Sequence, residues 1–391
     1  MKVNNQKIVR KIKNTFIERF GNDPILIKSP GRVNLIGEHT DYNNGFVLTA
    51  SINKAIYFAV KPNNLGQFRF FAIDLNEQYS TLVDQIEKCK QHWANYLLGV
   101  IAQFVKDGKT IEGFDCVFGG DIPLGAGMSS SAAIECGIAF AINHLHKFDY
   151  SSLQLVKFAQ IAEHEYAGVQ CGIMDQFASM HGKANHVIKL DCRSLDYDLF
   201  PFDMKHYLLI LVNTGVKHSL ASSEYNIRRQ ECEEGVMTLQ QHYPEIKSLR
   251  DANMDVLNKH ETEFSPTVYK RCSYIIQENQ RVELACITLQ SEDFNEFGQL
   301  MYSSHKGLKD QYEVSCNELD KLVDIAKDID GVMGARMMGG GFGGCTINLV
   351  KEDSVTKFEK TIKEHYITPD GGEPQIIKVV IGDGTSMVND V

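Results

Sequence analysis

The stretch GDIPLGAGMSSSAAIECG sets Gly125, Ala126, Gly127, Met128, Ser129, Ser130 and Ser131 in succession, a composition suited to gripping an anion through its backbone. Glycine adopts positive φ freely and lets the main chain come close to a ligand. From Ser131 onward Ala132, Ile134, Ile138, Ala141, Ile142 and Leu145 recur at helical spacing, so the loop empties into a helix N-terminus. Unpaired amides and the helix dipole favour negative charge there, and serine hydroxyls can donate to phosphate or bind Mg2+ through oxygen. A Walker loop would place a lysine after its last glycine. None stands here, so positive charge must arrive from elsewhere. A glycine-rich turn with a serine cap is the plain alternative.

A second dense patch, SPGRVNLIGEHTDYNNG, combines the cation Arg32 with Glu38, His39 and Asp41, groups that accept and donate in the directions a polyol needs. On its own the patch reads equally as a solvated turn. In AEHEYAGVQCGIMDQF the letters HExxH fail because Gly168 stands where the second zinc ligand belongs, which excludes a metalloprotease. Glu163 and Asp175 remain as carboxylates in apolar surroundings, each readable alone as a cap or a surface acid. Gly339, Gly341 and Gly344 satisfy GxGxxG, but they lead into the strand-like CTINLV rather than a helix. A dinucleotide site needs strand, glycines, then helix. A tight turn beside the first loop is the better reading.

Several elements must position these residues. Ile8, Ile12, Phe16 and Phe20 recur every four residues, predicting an amphipathic N-terminal helix. ILIKSPGRVNLIG, GFVLTASI, AIYFAVKP and QFRFFAID read as strands, followed by the helix WANYLLGVIAQFV and the strand FDCVFGGDIP. Helices over LQLVKFAQIAEHEY and GIMDQFASM precede the strands HVIKLDC and YLLILVNTG. Polar helices and the glycine cluster fill the second half, and the mix is α+β. A composition shift suggests domains at 1–190 and 191–391, although no linker marks the division.

Composition narrows the class. A chain of 391 residues with 43% apolar and 23% charged residues is an ordinary globular protein, long enough for two domains with a cleft between them. The formal charge of -10 disfavours nonspecific nucleic-acid binding. Ten cysteines are scattered without a CxxC pair, which suits a reducing, cytoplasmic setting and small buried side chains. The longest apolar run, Tyr207 to Val212, is too short to span a bilayer.

Taken together the patches resemble the GHMP small-molecule kinases, and within them the galactokinases. GRVNLIGEHTDY is similar to the N-terminal signature, PLGAGMSSSAA to the phosphate loop, and MGGGFGGCTINLV to the third motif; CGIMDQF and NTGVKHSLASSEYNIRR also match, over residues 28 to 350. The resemblance implies a two-domain GHMP kinase fold. Its N-terminal domain has a mixed sheet of the ribosomal protein S5 domain 2 type, its C-terminal α+β domain has an antiparallel sheet, and the active site lies between them. It further implies ATP and D-galactose as substrates, Mg2+ as cofactor, galactose 1-phosphate as product in the first step of galactose metabolism, and a monomer with no membrane or nucleic-acid partner.

By the same resemblance, residues 125 to 131 wrap the ATP phosphates, Ser131 and Glu163 hold Mg2+, and Asp175 accepts the proton of the anomeric hydroxyl. Arg32 lies between Asp175 and the γ-phosphate. Glu38, His39, Thr40, Asp41, Gly172, Asp175 and Tyr225 hold the sugar, and Trp93 and Tyr96 line the adenine pocket. An N-acetylgalactosamine kinase of the same fold is the near rival. A catalytically silent sugar sensor is the distant one, disfavoured by the intact SSSAA and Asp175.

Overall fold

The computed structural model describes residues 2–21, 23–123, 125–202, 206–216 and 221–388. Leu124 of the glycine-serine loop and 217–220 of the NTGVKHSLASSEYNIRR match lie outside the described residues. The expected N-terminal helix runs Lys2–Phe20 and buries Val9, Ile12 and Phe16 against Leu26, Tyr57, Phe71 and Val117 on one face of a sheet. Ile8 and Phe20 flank that stripe.

This first sheet contains strands β1 (Ile25–Ile36), β2 (Phe46–Pro62), β3 (Gln67–Ala72), β4 (Glu77–Leu82), β5 (Phe114–Gly120), β6 (His186–Asp191) and β7 (Tyr197–Pro201). All its pairings are antiparallel except β3 with β5, so the sheet is mixed. The runs GFVLTASI and AIYFAVKP prove to be one long strand, β2, because the polar stretch between them stays extended: Asn53 donates its amide to Val380, and Lys54 pairs with Asp121 at 3.0 Å. One strand can therefore pair with β1 along its length, with β6 at its start and with β5 at its end. Helices His92–Lys106, Ser130–Leu145, Ser152–Ala162 and Met174–His181 contribute side chains to the main core on the sheet's other side.

A second, wholly antiparallel sheet joins β8 (Tyr207–Asn213), β9 (Val332–Met337), β10 (Cys345–Lys351) and β11 (Gln375–Val379) in the order β11-β8-β10-β9. The unbroken apolar run of β8 follows from burial on both faces. Leu209 and Leu211 join the main core, whereas Ile210 and Val212 pack on helices Asn317–Lys327 and Val355–His365. The helix Pro266–Gln290 contributes Val268, Cys272, Tyr274, Ile275 and Ile276 to a third cluster, which also holds Cys232 and Leu239.

The division expected between residues 190 and 191 falls inside β6 and just before β7, and both strands still pair in the first sheet. The chain also returns to that sheet late, when β12 (Ser386–Met387) pairs with β1. Thr385 fastens this return through Ser29 at 2.9 Å and the Ser179 carbonyl at 3.0 Å. Composition carries no trace of such long-range pairing. Of the ten cysteines, all unpaired, only Cys89, Cys171 and Cys316 are not fully buried. Among the described residues no helix is long and apolar enough to cross a membrane.

The helix Phe294–Asp310 rests directly on β9, where a Cβ on Gly298 would lie 1.8 Å from the Met333 carbonyl oxygen. Backbone must move to admit it. Overpacking of this kind costs up to about 3 kcal/mol, against about 1 kcal/mol gained in helix propensity. We expect Gly298→Ala to lose about 2 kcal/mol net on these magnitudes, read as a lower urea midpoint. A midpoint at or above that of the parent protein would contradict the close approach.

Candidate active site

Arg32 enters the site from β1, where the pairing register with β2 shifts between Pro30 and Arg32. Its guanidinium is buried and all its nitrogens are used: Nε donates to Asp175 Oδ1 at 2.7 Å, Nη2 to Oδ2 at 3.0 Å, and Nη1 to the Gly127 carbonyl at 2.5 Å. Burial works against its charge, but Asp175 and then Glu38 hold its pKa above the usual value. Asp175 lies in the first turn of Met174–His181 and also accepts a hydrogen bond from the Ser129 hydroxyl. The contact needs β1 to graze the loop, and Gly31 permits this, since a Cβ there would meet the Met128 oxygen at 2.6 Å.

Ser129 precedes the helix Ser130–Leu145 in the left-handed region, at φ 55, and makes no side-chain cap. The serine-cap alternative therefore fails at this position. With no cap from Ser129, the first amides of the helix are left to a ligand. Ala126 and Met128 bury their side chains in the core, so only their backbone can serve an anion. The two glycine clusters touch as expected: a Cβ on Gly127 would lie 3.1 Å from the Met338 oxygen, and one on Gly339 3.5 Å from Gly127 Cα.

A cavity of about 250 Å³ opens beside the ion pair, lined among others by Arg32, Glu38, His39, Asp41, Glu163, Asp175 and Tyr225. His39 adopts φ 63, and burial depresses its pKa to about 3, so the ring is neutral. Its Nδ1 meets Tyr42 Oη at 2.8 Å while Nε2 has no partner, which leaves one ring nitrogen for a ligand. The Tyr225 ring sits 5.2 Å from that of His39. Burial, with Asp175 next, raises the Asp41 pKa to about 7. Gly172 backs this carboxylate so closely that a Cβ would lie 2.0 Å from Asp41 Oδ2.

Thr40 departs from its expected place among the sugar ligands. It is fully buried, and its hydroxyl is shared between the Gly37 and Phe46 carbonyls at 2.9 and 2.6 Å. It fastens the turn.

Glu38 carries a structure of its own. Its Oε1 lies 2.9 Å from Nη2 of Arg336, a fully buried cation on β9, and accepts from the Gly339 amide at 2.6 Å. Tyr274 donates to its carbonyl at 3.0 Å, and Glu278 accepts from the neighbouring Gly37 amide at 2.9 Å. Burial raises the Glu38 pKa, opposed by Arg336 and Arg32. Sequence reasoning passed over Arg336, although an arginine inside the apolar run VMGARM was a usable signal, because buried cations are rare unless paired.

A second cavity, about 480 Å³, is lined by Trp93, Tyr96, Phe118, Ser130, Ser131 and Ile134 among others. Trp93 is fixed by its indole N–H, which donates to Glu77 at 2.7 Å, and by Phe118 at a ring distance of 5.6 Å. Between the cavities Glu163 begins a wide turn that ends the helix Ser152–Ala162. Burial raises its pKa and Asp175 adds to the rise, while the Ser131 hydroxyl favours its charged form. Gln176 Nε2 donates to Glu163 at 2.7 Å and to buried Glu135 at 3.2 Å. Glu135 Oε1 and Gln176 Oε1 are buried without partners. The Cys171 thiol also donates to Glu163, at 3.4 Å.

Comparison with known proteins agrees with this geometry. The family model described as the galactokinase galactose-binding signature matches residues 14–62, and those for the GHMP kinases N terminal domain and GHMP kinases C terminal match 95–183 and 286–368. Galactokinase of Roseiflexus sp. strain RS-1 is 38% identical over 97% of this chain and 97% of its own. That of Thermotoga maritima is 42% identical over 87% of this chain and 93% of its own. The crystal structure of Lactococcus lactis galactokinase complexed with galactose superposes with a TM-score of 0.93 at 33% identity, covering 97% of this chain and all of that one.

The raised Asp41 pKa has a consequence for stability. The folded value, about 7, lies above the ordinary 3.8, so the stabilising difference is fully present below about pH 4 and disappears as pH rises through about 7. Relative to Asp41→Asn, the ligand-free parent protein should lose Tm progressively between about pH 4 and about pH 7. A Tm difference constant over that range would contradict the raised pKa.

Proposed function

The chain belongs to the galactokinase family of the GHMP kinases, and from that premise we propose that it transfers the γ-phosphate of ATP to the anomeric C1 hydroxyl of α-D-galactose, yielding galactose 1-phosphate and ADP. The observation that carries this reading is the Arg32–Asp175 pair between two cavities. Both residues line the smaller one, and Ser129, bonded to Asp175, leads directly to Ser130 and Ser131 in the larger.

In this reading galactose occupies the smaller cavity, held by Glu38, the unpartnered ring nitrogen of His39, Asp41 and Tyr225, with Gly172 fixing Asp41 from behind. ATP occupies the larger cavity, its base against Trp93 and Tyr96 and its phosphates over the amides of residues 125 to 131. Asp175 accepts the hydroxyl proton. Its carboxylate is clamped in orientation by Arg32 and Ser129, so the proton acceptor and the phosphoryl-facing cation move as one unit. Phosphoryl transfer through a loose transition state rewards this positioning more than a strong base.

Ser131 and Glu163 would hold Mg2+. The fit rests on the hydroxyl and carboxylate oxygens of these two residues, suited to a hard cation, and on the buried, unpartnered Glu135 and Gln176 oxygens behind them. When bound, the ion neutralises charge on the β- and γ-phosphates. We place the enzyme in the cytoplasm, a reading supported by its ten unpaired cysteines.

ADP release across a panel of hexoses tests the assignment: galactose should be turned over fastest, and a preference for N-acetylgalactosamine, or no turnover at all, would overturn it. Asp175→Ala should lower kcat by about 10²–10⁴-fold while galactose and ATP still bind; near-normal kcat would remove Asp175 as the base. Arg32→Ala should act mainly on kcat, and an effect confined to KM would make Arg32 a binding residue alone.

A further inference from the structure

Outside the active site, two histidines and a glutamate from separate segments converge on one point. His242 follows the helix Ala221–Gln240, His260 caps the short helix Met254–Lys259, and Glu263 lies in the turn that precedes Pro266–Gln290. His242 Nε2 stands 2.6 Å from Glu263 Oε2, and His260 Nδ1 2.8 Å from Oε1. The imidazoles stack with centroids 4.0 Å apart, and one ligand atom from each residue falls within 4.8 Å of the others. His242 and Glu263 are exposed, whereas His260 is buried and has Tyr243 Oη 3.4 Å from its other ring nitrogen.

We propose that these residues form a divalent transition-metal site, of the class that takes Zn2+, serving as a structural clamp. Two neutral imidazoles and one carboxylate are a donor set that zinc favours, with a fourth position left for water. Zinc–ligand bonds of about 2.0–2.2 Å require donor atoms roughly 3.3 Å apart, a closure that rotations of the exposed His242 and Glu263 side chains toward buried His260 would supply. Tyr243 is placed as the outer partner that orients a liganding histidine. Without an ion the same atoms satisfy one another through Glu263. The clamp would tie the far end of the helix that carries Tyr225 to the segment before Pro266, away from the chemistry.

Chelator-treated enzyme titrated with Co2+ should bind one equivalent here with the absorption of a four-coordinate nitrogen and oxygen site and no thiolate charge-transfer band. Zn2+ should compete for it and raise Tm. His242→Ala and Glu263→Ala, both at exposed positions, should each weaken binding at least about tenfold while leaving kcat unchanged. Unaltered stoichiometry and affinity in both variants, or a thiolate band marking cysteine ligands, would overturn the proposal.

Discussion

The site depends on holding a buried guanidinium against a carboxylate whose side chain is 26% exposed. At an effective dielectric near 20, unit charges about 4 Å apart attract by roughly 4 kcal/mol, and desolvation consumes much of that gain. Such a pair is worth keeping buried only when geometry supplies further hydrogen bonds. Here it does: Arg32 binds Asp175 through two nitrogens and spends its third on Gly127, and Asp175 takes Ser129 as well. Strand, loop and helix are thereby cross-linked beside the cavity that Arg32 and Asp175 line.

A second buried pair repeats the device between the two sheets. Arg336 on β9 meets Glu38, which follows β1, and the Gly339 amide completes the contact. The touching glycine clusters let these backbones approach closely enough for it. The Glu38 carboxylate is consequently set by the second sheet, and the glycine-serine loop is tied to the first through Arg32. Small rearrangements of one sheet against the other must then alter both cavities together.

Much of this was legible in the sequence, for physical reasons. Periodicities of two and nearly four exposed the strands and helices around the site, and Arg32, Glu38, His39, Asp41, Asp175 and Tyr225, singled out by the family resemblance rather than by residue type alone, all line one cavity. Other features depend on partners remote in the chain. Thr40 looked like a ligand until its hydroxyl was found on neighbouring carbonyls, and Ser129 looked like a cap until its left-handed backbone turned it toward Asp175. Arg336 reads as a solvated cation unless Glu38 is known to face it. The extent of the first sheet was hidden because β6, β7 and β12 are recruited by pairing alone.

The late return of the chain to β1 governs how the protein can be made. The strand that bears Arg32 gains β2 early but lacks its other neighbour until residues 386–387 have left the ribosome. Until then the start of β1, at Ile27 and Lys28, is an open edge able to template foreign strands. The residues that line both cavities can already be present in the nascent polypeptide while the sheet under them is still one short strand from complete.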